Sequence, residues 1–272
     1  MISATIIADS ISPAGIRLTT AEVTYPTWLL PQLNTHRMLS RSSGSSRAIP
    51  IHKLIERVES DPAIPIYWGK NQAGMKAAAE IHSDDKAMAE RVWLAAMRDA
   101  VRHARTLSDL NLHKQTANRL LAPFSHTSTI ITATDWQHFF NLRRNPDSQP
   151  EMRDLADHIY IARSCSKPVR LRAGEWHLPY IDASEMEARL LYWDKVKKIS
   201  VSRCARVSYN NHNGTRDIDK DLALHDKLLE SGHMSPFEHV ATPIADDEKW
   251  MGGNLIGWQQ YRKFFSQEYT PG

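Results

Sequence analysis

Apolar positions in this chain recur mainly at helical spacing, broken by two stretches of strand-like composition. Residues 83–108 carry the clearest helix: Trp93, Met97, Ala100, Ala104 and Leu107 share one face. Ser83 is placed to cap it, and Asp84 and Asp85 suit the positive end of its dipole. Residues 216–230 predict another, with Ile218, Leu222 and Leu229 on one face and Gly232 at its end. Ser184 and Glu187 predict a capping box for a helix running to about Val196. Further helices are expected over 27–39 with Pro31 in the first turn, over 114–122 ending before Pro123, and over 254–265. Residues 135–143 and 149–163 read as two more, separated by Asn145-Pro146-Asp147. Residues 16–25, rich in Ile, Leu, Thr, Val and Tyr and ending at Pro26, read as a strand. The Thr, Ile and Ala run over 127–134 is a strand or a buried connection, and 40–47 a polar loop. No linker or composition break divides the chain, so the expectation is one helix-rich α+β domain spanning 1–272.

Composition changes this picture little. At 272 residues, 42% hydrophobic and 24% charged, the chain can bury a sizeable core without staples. A net charge of +3 gives no footprint for nucleic acid, although local arginine clusters could still hold an anion. Two cysteines, Cys165 and Cys204, make no disulfide framework and point to a reducing cytoplasm. The start, Met1-Ile2-Ser3-Ala4-Thr5, does not read as a signal peptide, and no apolar run suggests a membrane span.

Several constellations could carry chemistry. Thr35-His36-Arg37 through Ser45-Ser46-Arg47 gathers guanidinium forks, hydroxyls and loop amides, which can hold a phosphate; a solvated Ser-rich loop would look the same. Arg143, following Phe139-Phe140-Asn141-Leu142, is an arginine expected to be partly buried, facing either an anionic ligand or an internal partner such as Glu151. Gly232-His233-Met234-Ser235-Pro236-Phe237-Glu238-His239 follows a helix end; its histidine spacing does not match the helical zinc motif, so a polar cofactor loop is preferred to a metal site. Cys204 lies between Arg203 and Arg206, yet both cysteines read better as small packing residues than as nucleophiles. Tyr67-Trp68-Gly69-Lys70 reads as a packed turn and receives no role.

Taken together these segments resemble the flavin-dependent thymidylate synthases. That family's signature begins Arg-His-Arg, continues to a Ser and an Asn-Glu pair, and closes Ser-Gly-Arg-Tyr. Thr35-His36-Arg37 with Ser40 is similar to its start and Ser45-Ser46-Arg47 to its end, with Gln32 upstream. Asn118-Arg119-Leu120-Leu121-Ala122-Pro123 resembles its Ala-Arg to Leu-Pro segment, and Phe140-Asn141-Leu142-Arg143 its Asn-Leu-Arg segment. Ala205-Arg206-Val207-Ser208-Tyr209 and Ser235-Pro236-Phe237-Glu238-His239 resemble segments that precede the signature in usual members. Here they follow it, so the order looks circularly permuted. Trp258-Gln259-Gln260-Tyr261-Arg262 resembles the helix that leads into the signature, and Arg262 could supply the arginine that Thr35 lacks. Ser43 and Ala48 depart from the signature, Asp147 replaces a histidine, and Thr132, Thr134 and His138 replace residues that face the flavin.

The resemblance implies a phage-like or bacterial enzyme, a helix-rich α+β domain around a central antiparallel sheet, and reductive methylation of dUMP to dTMP. Gln32, Ser45, Ser46, Arg47, Arg119 and Arg143 would bind the nucleotide, Arg143 also as the catalytic cation. His36, Arg37, Ser208, His233, Ser235, Glu238 and Arg262 would line FAD, and no residue would bind a metal. Methylenetetrahydrofolate would give the carbon and NADPH the electrons, in a homotetramer that shares its sites between subunits. The departures on the flavin side leave two alternatives: hydroxymethylation of dUMP or dCMP, and a non-catalytic nucleotide-binding relative.

Overall fold

The computed structural model describes residues 1–209, 217–244 and 253–266, without the side chains of residues 183, 186–193, 208 and 209. Its centre is a five-stranded sheet in the order β3-β4-β2-β1-β5. The strands are β1 (Ser3–Ile11), β2 (Arg17–Pro26), β3 (Ser40–Ser43), β4 (His126–Ala133) and β5 (Val169–Arg170). The first four pair antiparallel, as expected; β5 adds a short parallel edge beside β1. A separate antiparallel pair joins β6 (Ala241–Pro243) to β7 (Trp258–Gln260).

Helices cover both faces of the sheet. On one face α1 (Leu30–Leu33), α5 (Gln137–Arg143) and α6 (Pro150–Cys165) pack Leu33, Phe139, Met152, Leu155 and Ile159 against Ala21, Val23, Tyr25 and Ile131. On the other, α7 (Ala183–Tyr209) sets Cys204 and Val207 against Ile130. Both faces of β2 and β4 are therefore buried, which is why their sequences show no clean apolar alternation. A second core joins α2 (Ile51–Ser60) to α3 (Ser83–Asp109) through Leu54, Val58, Met97 and Val101. A short α4 (Lys114–Ala117) precedes a 3₁₀ segment, Asn118–Phe124.

Several elements differ from the sequence expectation. The segment 27–39 is helical only over Thr27–Leu33, because Thr35 and His36 turn toward β3. Residues 40–43 form a strand, since their backbone finds a ladder on β4. His82, not Ser83, caps α3 by accepting from Asp84 N. Pro123 lies inside the 3₁₀ segment, where its missing N–H breaks no α-helical ladder. Asp182 and Glu185 form the reciprocal capping box of α7, two residues before the predicted pair; the Glu187 side chain lies outside the described residues. The same helix runs well beyond Val196.

In α8 (Ile218–Glu230) the buried positions are Asp221, His225 and Leu228, while Ile218 is half exposed. The predicted apolar face is displaced because α7 supplies Arg203 and Arg206 to pair with Asp221. The end of α8 is as expected: Gly232 takes φ +67°, and Gly232 N and His233 N donate to Leu229 O and Leu228 O. Residues 254–265 form no α-helix; they carry β7 and a 3₁₀ turn at Tyr261–Phe264, because Trp258 and Gln260 are drawn into the pairing with β6. Among the described residues no helix is long and apolar enough to cross a membrane.

Candidate active site

A cleft of about 900 Å³ opens beside α1, the end of α5 and the start of α6. Trp28, Tyr67 and Trp93 give it aromatic walls, and Gln32, Arg143, Gln149 and Arg153 add polar groups. Trp93 is anchored by its indole N–H, which donates to Ala63 O at 2.9 Å, and by an edge-on contact with Trp28 at 5.8 Å. Tyr67 and Gly69 arrive on a loop folded back on itself by the Gly69–Glu80 bridge, and Lys76 on that loop pairs with Asp147 at 2.6 Å. The segment read as a packed turn thus forms part of the cleft.

Arg143 sits on the last turn of α5, partly buried. Its Nε donates to His36 Nε2 at 2.8 Å and its Nη2 to Thr35 Oγ1 at 3.4 Å. No carboxylate pairs with it among the described residues, so the internal partner weighed for it, Glu151, is not one: Glu151 accepts from Ile66 N and Gln149 Nε2 instead. Burial first, then the neighbouring Arg143 charge, holds the His36 imidazole down to about 4. A neutral ring keeps the lone pair that Arg143 needs. The ring is fixed edge-on against Phe139 at 5.0 Å. Two further groups in the cleft lack partners among the described residues: Arg153 has no ion pair, and the shielded Ser148 Oγ has no hydrogen bond. Such groups are what an anionic, hydrogen-bonding ligand satisfies.

Arg47 and Arg119 do not line this cleft. They lie past the other end of β3, exposed, on neighbouring turns joined by buried Asn118, whose Nδ2 donates to Ser46 O and Ile49 O. Lys114 Nζ donates to Ala48 O in the same place. Ser45 and Ser46 belong to this cluster, so the structure splits the predicted nucleotide residues into two groups: Gln32 with Arg143, and Ser45 to Arg47 with Arg119.

The predicted cofactor residues are also divided. Glu238 pairs with Arg262 at 3.0 Å, and Arg262 Nε donates to Gln260 Oε1. Gln260, fully buried, donates in turn to Ser40 Oγ, Asn254 Oδ1 and Glu238 O. His36 belongs to the cleft through Arg143, while its carbonyl accepts from Arg41. Arg37, His233 and Ser235 are exposed, and the Ser208 side chain lies outside the described residues.

Sequence reasoning missed a buried polar chain crossing the sheet. Ser42 Oγ meets His239 Nε2, His239 Nδ1 meets Thr132, Thr132 meets Thr20, Thr20 meets His177 Nε2, and His177 Nδ1 meets Ser10, each between 2.6 and 2.9 Å. Burial holds both histidines down to about 3, so both are neutral. Thr132 is consumed inside this chain, and Thr134 Oγ1 accepts from Ile256 N. For a flavin the donor set therefore fits in part: Arg37, His233 and Ser235 are exposed and keep donors available to it, whereas two positions expected to face it, Thr132 and Thr134, are satisfied internally. Cys204 is buried with its thiol pushed up by desolvation, and Cys165 is exposed. Among the described residues no three His, Cys, Asp or Glu side chains group to hold a metal.

The family profile described as thymidylate synthase complementing protein matches residues 12–164. The fold is similar to that of a UMP/dUMP methylase, PolB, from Streptomyces cacaoi bound with 5-Br UMP, at 17% identity and TM-score 0.52, covering 60% of this chain and 89% of that one. A second structure of that protein, bound with 5-Br dUMP, aligns at 16% identity and TM-score 0.51, covering 60% and 90%. Comparison with curated proteins finds no match.

Proposed function

The chain belongs to the thymidylate synthase complementing protein family, and from that premise we propose that it methylates C5 of a pyrimidine nucleotide, dUMP, with the base seated in the cleft of Gln32 and Arg143. The observation that carries this reading is Arg143: a partly buried guanidinium, aimed by a neutral histidine, with no carboxylate partner among the described residues.

C5 of uracil is a weak nucleophile. A cation held beside the ring carbonyls stabilises negative charge in the ring and raises electron density at C5. Preorganised donors of this kind contribute roughly 3–4 kcal/mol to a transition state. Trp28, Tyr67 and Trp93 offer flat apolar surface to the ring and exclude water, which strengthens the Arg143 contact. The phosphate falls to Arg47 and Arg119 with Ser45 and Ser46, contributed by a neighbouring copy in a homotetramer; their separation from the cleft within one chain supports that arrangement. Arg37, His233 and Ser235 would hold the phosphates of FAD, with His36, Ser208, Glu238 and Arg262 around it. Bound reduced flavin supplies hydride, methylenetetrahydrofolate the carbon, and NADPH the electrons.

Hydroxymethylation of dUMP or dCMP is the second reading, favoured by the inward engagement of Thr132 and Thr134. One titration separates them: the absorbance spectrum of the purified protein with FAD, in the presence of dUMP. Stoichiometric flavin bands and a methylated product by mass support reductive methylation. A colourless protein that releases the C5 proton and yields a hydroxymethyl product supports the second. Unchanged dUMP affinity in both Arg143→Ala and Arg119→Ala removes the site assignment altogether.

A further inference from the structure

The two acceptors that aim Arg143 sit side by side on one turn. Thr35 Oγ1 gives its hydrogen to Gln32 O at 2.7 Å, so it meets Arg143 Nη2 with a lone pair. His36 Nε2 accepts from Arg143 Nε at 2.8 Å. Packing does little to hold this turn: Asn34, Thr35 and Arg37 are exposed, and only His36 is buried, edge-on against Phe139. Its backbone is tied to α1 by Thr35 N and His36 N, which donate to Gln32 O and Leu33 O at 3.2 Å each.

One further side chain grips the turn. Arg41 stands on β3 opposite Ile131 of β4, in the ladder of the central sheet. Strand alternation sets it on the face away from Ser40 and Ser42, whose hydroxyls meet Gln260 and His239. Its Nη1 donates to His36 O and its Nη2 to Asn34 O at 3.4 Å, so the guanidinium fork spans Thr35. No carboxylate pairs with it among the described residues. A planar fork can hold two carbonyls in one fixed geometry, which a single ammonium cannot. Its charge also joins burial, Arg143 and His138 in disfavouring a second proton on the His36 ring, which would remove the acceptor.

We infer that Arg41 is a positioning residue for Arg143: by bridging Asn34 O and His36 O it locks the Thr35–His36 turn to the sheet, so that both acceptors hold the Arg143 fork at the cleft. This rests on the reading of the cleft as a pyrimidine nucleotide site and adds to it a residue that touches no ligand.

The test uses the whole protein, with dUMP affinity from calorimetry and the Cε1–H resonance of His36 in protein carrying carbon-13 histidine. The resonance is assigned by its loss in His36→Phe. Arg41→Met keeps the length of the side chain and deletes the fork. It is expected to displace the His36 resonance and weaken dUMP binding about fivefold. Arg41→Lys keeps the charge without the fork and is expected to act in the same direction, so it carries the test if Arg41→Met does not fold. Because Arg41 works through the turn, adding Arg41→Met to His36→Phe is expected to weaken binding by less than about twofold more. An unmoved His36 resonance, wild-type behaviour in Arg41→Lys, or the full loss added on top of His36→Phe overturns the inference and leaves the pyrimidine site standing. Wild-type dUMP affinity in Arg143→Ala removes the pyrimidine site itself, and the role of Arg41 with it.

Discussion

Arg143 and Arg203 are both drawn out of bulk water, and the fold treats them in opposite ways. Arg203, on α7, pairs with Glu185 at 2.6 Å and Asp221 at 3.2 Å and donates to Tyr180 O. Its charge is answered by carboxylates from its own helix and from α8. Arg143 has a neutral imidazole and a hydroxyl, and the rest of its fork faces an open cleft. Neutral acceptors orient a guanidinium without cancelling it. The first arrangement joins two helices; the second leaves a guanidinium that no carboxylate among the described residues answers, at the wall of the cleft.

The contrast is sharpest in what each arginine does when removed. Arg203→Ala leaves buried Asp221 with only Arg206 among the described residues, and an expected loss of roughly 3–5 kcal/mol in urea unfolding separates a structural charge from a functional one. A small loss there would put the two arginines in one class. Arg143→Ala is expected to leave the unfolding midpoint near wild type while lowering turnover of dUMP roughly 10²–10³-fold. A large drop in stability with unchanged turnover per folded molecule would reverse the assignment.

Acid sharpens the comparison through the neutral histidines. His177 and His239 are buried and held near 3, below the ordinary 6.5, so protonation favours the unfolded chain. Their contribution is complete above pH 6.5 and declines as pH falls toward 3; at pH 5 it is smaller by about 2 kcal/mol for each. Urea melts at pH 7 and 5 read this directly, and replacing His177 should reduce the difference. The smallest expected effect concerns the group that aims Arg143. His36→Phe preserves a ring against Phe139 and deletes the acceptor, and a five- to tenfold weaker dUMP affinity, on the order of 1 kcal/mol, is expected by calorimetry. Unchanged affinity would mean that Arg143 needs no aiming.

Much of the architecture could be read directly from the chain. The long face of α3, the β2 run ending at Pro26 and the Gly232 stop are local signals, set by side-chain spacing and by φ alone. Arg143 and Gln32 were singled out through motif resemblance, and both line one cleft. Where the sequence reading failed, the missing partner was distant in the chain. Residues 40–43 look like a loop until β4 offers a ladder, and 254–265 looks helical until β6 captures Trp258 and Gln260. In α8 the buried face is polar, because the arginines that satisfy Asp221 come from α7.

The sequence by itself determined which residue types were available: donor-only arginines, a glutamine near the signature, aromatics near residues 67 and 93, and strands rich in threonine. Tertiary structure alone decided how they were used. It paired Thr132 and Thr20 with two neutral histidines, left Arg143 without a carboxylate among the described residues, and brought Gln149 to Gln32. The reason is physical: burial cost and hydrogen-bond complementarity depend on which groups meet in space, and such meetings between residues a hundred or more positions apart leave no local trace in the chain.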